Sequence, residues 1–289
     1  MSRSSPQRAA IAAQLRRQLA LARAARLLLL ATFLAAAAWA ALRDGGPGPL
    51  AIVWVLAVGL GVWVLAGLHA LRIVRCVRLG TVLMGLGQLD NAEIWLRRAV
   101  GQFTFSVRGK CLAGQQLASL MFTRGSYDAT IDLCRELLRR RPGGTGRQAL
   151  NARLLLADAL LLRDRPVEAR EVLGPVDGRR LSLVERMKLL PIRLRCQLAA
   201  GDAASAAREL PEQVRLAELL DSAGAALVHA LLAEACRRLG RDVEAAFLRR
   251  RAALYHDLEP LLERYPVLAP PAAAGDAPGA GPPGRLPGE

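Results

Sequence analysis

The side chains that could carry chemistry are few and scattered. Histidine occurs at positions 69, 229 and 256. No HExxH pair and no Cys/His cluster accompanies them, so no metal site is written into the chain. The five cysteines, Cys76, Cys111, Cys134, Cys196 and Cys236, are odd in number, widely spaced and never in a CxxC pair. They read as small buried hydrophobes in a reducing compartment, with Cys134 and Cys236 on apolar helix stripes. Gly143-Gly-Thr-Gly146-Arg147 has the glycines of a phosphate-binding loop but lacks its Lys and the preceding strand. No GxSxG is present. The acid pairs Glu168/Glu171 and Asp128/Asp132 sit at helical spacing among arginines and predict surface ion pairs rather than general acid–base work. The sequence therefore offers no catalytic, cofactor-binding or metal-ligating residue, and the expectation is that the chain is not an enzyme.

Charge and hydropathy say more. The chain has 289 residues, 53% of them hydrophobic and only 4% aromatic, with net charge +15. Lys occurs only at 110 and 188, so the basic residues are nearly all Arg. Residues 1–78 hold ten Arg and a single acid, Asp44. Basic residues clustered beside apolar runs are what the positive-inside rule describes, which favours a membrane over nucleic acid as the partner of this charge.

Two apolar runs follow the basic start. Residues 50–71 contain no Asp, Glu, Lys or Arg; as helix they rise about 33 Å, enough for a hydrocarbon core of roughly 30 Å. Residues 27–42, between Arg26 and Arg43, rise only about 24 Å. For that first run three readings stand. It is a real span, lengthened by Ala24 and Ala25 and by snorkelling arginines. It is a signal peptide cut at Ala38-Trp39-Ala40. Or the Arg-rich, acid-poor start is a mitochondrial presequence. The tight turn RDGGPGP at 43–49, followed at once by the second run, favours a helical hairpin with Pro49 opening the return helix. The arginines at both ends put both termini in the cytoplasm, integral to an inner membrane. Signal cleavage would instead leave one span and an exported domain. Ala57 and Gly61 form a small-xxx-small pair on the second run, which keeps homo-oligomerisation open.

Beyond Arg72 the sequence repeats itself. A turn-like word ends at Ala92 (GQLDNA), Thr130 (GSYDAT), Ala169 (DRPVEA), Ala206 (GDAASA) and Ala245 (GRDVEA), at steps of 38, 39, 37 and 39 residues. Each word stands between apolar helical patterns, so each unit predicts a helix–turn–helix, and such a period predicts stacked units. The pattern resembles the tetratricopeptide repeat (TPR) family. Leu79, Gly80, Leu83, Ala92, Leu96 and Ala99 fall at its signature places in the first unit. So do Leu117, Ala118, Met121, Gly125, Tyr127 and Pro142 in the second, and Leu156, Ala157, Leu160, Ala169 and Leu173 in the third. In the fifth they are Leu232, Ala233, Cys236, Gly240, Ala245 and Ala252. The fourth departs: Gly201 and Ala206 fit, but Arg193 and Gln197 fall where apolar residues belong, which predicts a shifted register or an atypical helix pair. The resemblance covers about residues 73–256. Its implied logic is small residues where paired helices cross and large ones between units. Ser182 and Glu185 form a capping-box pattern.

The expected fold is all-α: a basic arm (1–26), a transmembrane hairpin (27–72), a TPR-like α-solenoid of about five helix pairs (73–268) and a Pro/Gly/Ala tail (269–289) unable to bury a core. The resemblance implies a groove lined by first helices. By that resemblance its candidate residues are Gln115, Ser119, Phe122, Leu154, Asp158, Leu161, Glu234 and Arg237, with packing between units the competing role for the apolar ones. The Lys/Asn clamp of some TPR domains does not show. The expectation is a membrane-anchored scaffold or adaptor that binds a protein partner. The layout is also similar to HemY-type inner-membrane proteins linked to haem synthesis, which implies the alternative of an accessory subunit in a membrane transport, secretion or biosynthetic complex. A third reading makes the Arg-rich arm a binder of anionic lipid or nucleic acid. No cofactor is expected.

Overall fold

The computed structural model describes residues 5–42, 49–103, 106–139, 147–176 and 181–268, and every described element is helical. The chain divides into two units, Met1–Asp177 and Gly178–Glu289. The Pro142–Gly146 connector, the 43–48 turn and the 269–289 tail lie outside the described residues.

The first unit begins with two long helices, α1 (Ser5–Leu42) and α2 (Pro49–Gly85). After Pro6, α1 holds neither Gly nor Pro and is rich in Ala, Leu, Arg and Gln, so nothing in its sequence stops the helix. The expected boundary between an arm and a first span, at residue 26, falls inside this one rod. Shorter helices follow: α3 (Leu89–Gly101), α4 (Val107–Thr123), α5 (Tyr127–Arg139), α6 (Arg147–Leu161) and α7 (Pro166–Leu173). The end of α2 pairs with α3, α4 with α5, and α6 with α7; α4 also lies against both α2 and α6. α1 returns over α3, α4 and α5.

The second unit holds α8 (Leu183–Ala199), α9 (Ala203–Ala206), α10 (Leu210–Ala217), α11 (Ser222–Arg238), α12 (Asp242–Tyr255), α13 (Glu259–Arg264) and a 3-10 turn, Pro266–Leu268. α11 pairs with α12 and packs on α8, α9 and α10. The helices on either side of the fourth turn word are not a simple pair. The second helix is broken into α9 and α10, with Pro211 in the first turn of α10, where its missing N–H costs nothing. The first helix is shifted by one position: Arg193 is exposed while Leu190, Leu194 and Leu198 are buried. The Ser182 N–H and hydroxyl both donate to Glu185 Oε2, at 2.9 and 2.8 Å.

The five turn words fold alike. Gly87, Gly125, Asp164, Gly201 and Gly240 each take positive φ. In each word the next residue's N–H donates back to the carbonyl five positions earlier. These bonds, Gln88 to Leu83, Ser126 to Met121, Arg165 to Leu160, Asp202 to Gln197 and Arg241 to Cys236, measure 2.8–2.9 Å. This is the Schellman closure of a helix, and its left-handed position favours glycine. Only Asp164 carries a side chain there, at φ 55°. Replacing Asp164 with Gly is expected to stabilise the chain by about 0.5–1 kcal/mol, and Gly125→Val to destabilise it by 1 kcal/mol or more. Thermal unfolding in detergent checks the pair.

Small residues sit where paired helices cross. A Cβ on Gly80 of α2 would lie 2.8 Å from Leu96 Cγ of α3, so the two helices meet through that hydrogen.

Candidate functional site

The site begins with what the two long helices leave uncovered. Leu27, Leu28, Leu30, Phe33 and Leu34 of α1 are exposed, as are Val58, Leu60, Trp63, Leu65, Leu68 and Leu71 of α2. Trp63 is 75% exposed. The opposite ends of the same helices are interior: Leu15, Leu19 and Ala22 on α1, and Ile73, Cys76, Val77 and Gly80 on α2. The change falls beside Arg23 on α1 and Arg72 on α2, both exposed like Arg75 and Arg78. α1 and α2 are both long and apolar enough to cross a membrane, by stretches running Ala10–Ala35 and Ala57–Gly85. Burial moves the lipid-available part of α1 to the far side of Arg23; from Ala24 to Leu42 it rises about 28 Å, which answers the shortness of the first run. A Cβ added at Gly59, Gly61 or Gly67 meets nothing within 4 Å, so the small-residue face of α2 is open.

The buried half of α1 is the main feature the sequence reading missed. Leu15, Leu19 and Ala22, at i, i+4 and i+7, are at most 1% exposed. Leu15 fills a notch over Gly114 of α4, where a Cβ would approach it to 3.1 Å and Leu137 of α5 to 3.2 Å. Arg16 Nε donates to Glu136 Oε2 of α5 at 3.1 Å. The buried face of the basic arm is thus one wall of the first unit. Its periodic stripe was present in the sequence but was overshadowed by the count of arginines around it.

At the foot of the same wall Lys110, the largest fully buried side chain, closes the end of α3. Its Nζ donates to the carbonyls of Ala99 (3.2 Å), Val100 (2.6 Å) and Gln102. Three ammonium hydrogens meet three acceptors that a helix end otherwise leaves open. Burial pulls the amine down to about 8.

The candidate groove residues fall into two groups. Gln115, Ser119 and Phe122 on α4 and Asp158 and Leu161 on α6 are partly exposed, at equivalent places on neighbouring helices. Phe122 stands edge-on to Tyr127, ring centres 5.5 Å apart. Leu154, by contrast, is interior. In the second unit Arg237 is partly exposed, but Glu234 is buried, and its two oxygens accept three guanidinium N–H bonds of 2.7 Å from Arg237 and Arg238. Burial pushes the Glu234 carboxyl up, and these hydrogen bonds more than offset it, so it lies below the usual range. Glu234 therefore ties Arg237 and Arg238 on α11, with three of its four acceptor sites engaged. Of the four acids read as ion-paired, two are seen in ion pairs: Asp128 meets Arg163 at 3.0 Å, and Glu168 meets Arg135 at 2.7 Å.

Among the described residues no group of three or more His, Cys, Asp or Glu side chains could hold a metal ion. The five cysteines are buried. His229 of α11 is also buried, stacked on Tyr255 of α12 at 5.6 Å, and neither ring nitrogen has a hydrogen-bond partner. Burial, and then the Arg251 charge, lower its pKa against the opposing pull of Glu218.

Comparison with protein-family models, curated proteins and solved structures returns no match.

Two outcomes follow from this geometry. Leu19→Ala is expected to cost about 3 kcal/mol of stability, whereas Arg17→Ala on the exposed side of α1 costs under about 0.5 kcal/mol, measured by unfolding in detergent. For His229, the folded pKa lies below the unfolded value of about 6.5, so the unfolded chain takes up the proton more readily. Stability is therefore lost as pH falls below about 6.5. His229→Phe, which keeps the stack, should flatten the urea midpoint between neutral and mildly acid pH.

Proposed function

We propose that this chain is a membrane-anchored scaffold whose TPR-like helical body binds a protein partner. The observation that carries the anchor is the shared boundary on α1 and α2: apolar and uncovered on one side of Arg23 and Arg72, buried along one face on the other. Leaving about a dozen such side chains in water forgoes on the order of 15–20 kcal/mol relative to burying them, more than the whole stability of a typical domain. Both uncovered halves project from one body, which favours a hairpin with both termini on the arginine-rich, cytoplasmic side. The docking of Leu15, Leu19 and Ala22 supports retention of the first span, since cleavage near Ala40 would strip a wall from the first unit. Arg17 and Arg23, exposed on that wall, suit a headgroup layer better than a nucleic acid.

The protein-binding part rests on the resemblance and on the five repeated turns. Gln115, Ser119, Phe122, Asp158 and Leu161 form the recognition face of the first unit, and Arg237 holds the equivalent place in the second. The open glycine face of α2 favours the second reading, an accessory subunit whose span packs against other membrane helices.

The experiment uses full-length chain in native membranes, with a photo-crosslinker at Gln115, Ser119 or Asp158 and, as control, at Arg170. The same polypeptide captured at the first three positions and not at the control is the expected result. Chain released into the aqueous phase by alkaline carbonate, or capture no different from the control, contradicts it. A C-terminal reporter active only outside the cytoplasm overturns the orientation.

A further inference from the structure

The second unit ends by turning back onto its own helices. α8 and α11 lead into the fourth and fifth turn words. On the scaffold reading, such first helices line the recognition face. Arg195 of α8 and Glu234 of α11 share one place, each six residues before the positive-φ glycine that closes its helix. In the first unit Ser119 and Asp158 hold that place before Gly125 and Asp164. In the second unit the place on α8 is covered. The 3-10 turn after α13 lies against both α8 and α11. The Arg195 guanidinium stands 4.4 Å from the centre of the Tyr265 ring, a cation–π contact between two buried side chains. Leu268 is buried as well. Between them the Val267 carbonyl accepts from Arg238 Nη2 of α11 at 3.4 Å, while Nη1 of the same residue donates to Leu198 O of α8 at 2.7 Å.

A segment whose task was to cap the end of the repeats would lie elsewhere. α12 is the last repeat helix, and its Val243, Phe247 and Leu254 stay exposed. The returning segment leaves them bare and sits across α8 and α11 instead. Its own helix, α13, has six residues, far too few to hold without docking. Its contacts are ones a separate peptide can make: an aromatic ring on a cation, an aliphatic side chain three residues on, and a main-chain carbonyl held by a guanidinium. We propose that α8 and α11 form a docking site for a short peptide segment of that chemistry, and that Tyr265–Leu268 is its built-in occupant. A partner carrying an aromatic residue and, three positions later, an aliphatic one takes the site by displacing it. A tethered occupant competes at an effective concentration of order millimolar, so the site admits a free peptide only when the tethered one is weakened. This deepens the scaffold reading and rests on it for the role of the first helices.

The test uses the full chain in nanodiscs and, as probe, a fluorescent synthetic peptide of residues 259–268. Tyr265→Ser with Leu268→Ser frees the site in the chain itself. The peptide is expected to bind this variant about tenfold or more tightly than it binds the unaltered chain. A photoreactive group at peptide position 267 should label α8 or α11. A peptide carrying Tyr265→Ala should bind roughly tenfold more weakly, and one carrying Tyr265→Phe as well as the native peptide. A second route keeps the native residues: a protease site inserted after His256 lets the segment be cut from the folded chain and washed away, and the cut chain should bind the peptide like the variant. Equal binding to altered and unaltered chain, no binding to either, or labelling on α12 overturns the proposal. So does loss of helix in the second unit of the cut chain, which makes residues 259–268 a structural strut. Photo-crosslinked capture at Gln115, Ser119 or Asp158 in chain whose freed second unit takes no peptide overturns this inference and leaves the scaffold standing. Peptide taken here, with no capture at those three positions, contradicts the first-unit face instead.

Discussion

Everything in the first unit answers to one constraint: α1 and α2 each place a half that meets protein in line with a half that meets nothing. A helix satisfies its own backbone hydrogen bonds, so it is the form in which a chain can pass from a packed interior to an apolar exterior without orphaned groups. Neither helix breaks at the change. The side chains alone make it, from Leu15, Leu19 and Ala22 to Leu27, Phe33 and Leu34 on α1, and in the reverse order on α2. Because the arginines of both helices fall at that change, the body stands directly at the boundary of whatever covers the apolar halves.

Rigidity at that junction comes from close approach. Gly80 lets α2 meet α3, and Gly114 makes the notch that Leu15 fills. Lys110 ties off α3 through three carbonyls, a buried charge that is tolerated because each of its hydrogens has an acceptor. The second unit is secured by a different device, the Glu234 carboxylate between Arg237 and Arg238, with Arg238 also donating to Leu198 O of α8 at 2.7 Å.

What the sequence discloses depends on whether the signal is local. The five turn words were readable because a left-handed helix end restricts which residues fit, and the period follows from those residues. The shifted register of α8 was readable from Arg193 and Gln197 standing where apolar residues belong; the break between α9 and α10, with Pro211 in the first turn of α10, was not. The uncovered runs were readable from the lack of charge across residues 50–71. The docking of α1 was not, since its partners on α3, α4 and α5 lie some hundred residues away in sequence. Lys110 was equally hidden, because its partners are backbone carbonyls. Leu154 and Glu234 were placed on a groove by resemblance, and their burial follows from neighbours the resemblance does not specify.

The most direct measurement follows α2 through the change. Nitroxide labels placed one at a time from position 57 to position 85 of the full chain in proteoliposomes would be read by their accessibility to oxygen and to a water-soluble nickel chelate. The account predicts oxygen-accessible, nickel-excluded labels up to position 71. It predicts a rise in nickel access at the exposed positions 72, 75 and 78, and exclusion of both reagents at the buried positions 73, 76 and 77. Nickel access along positions 57–71 would contradict it.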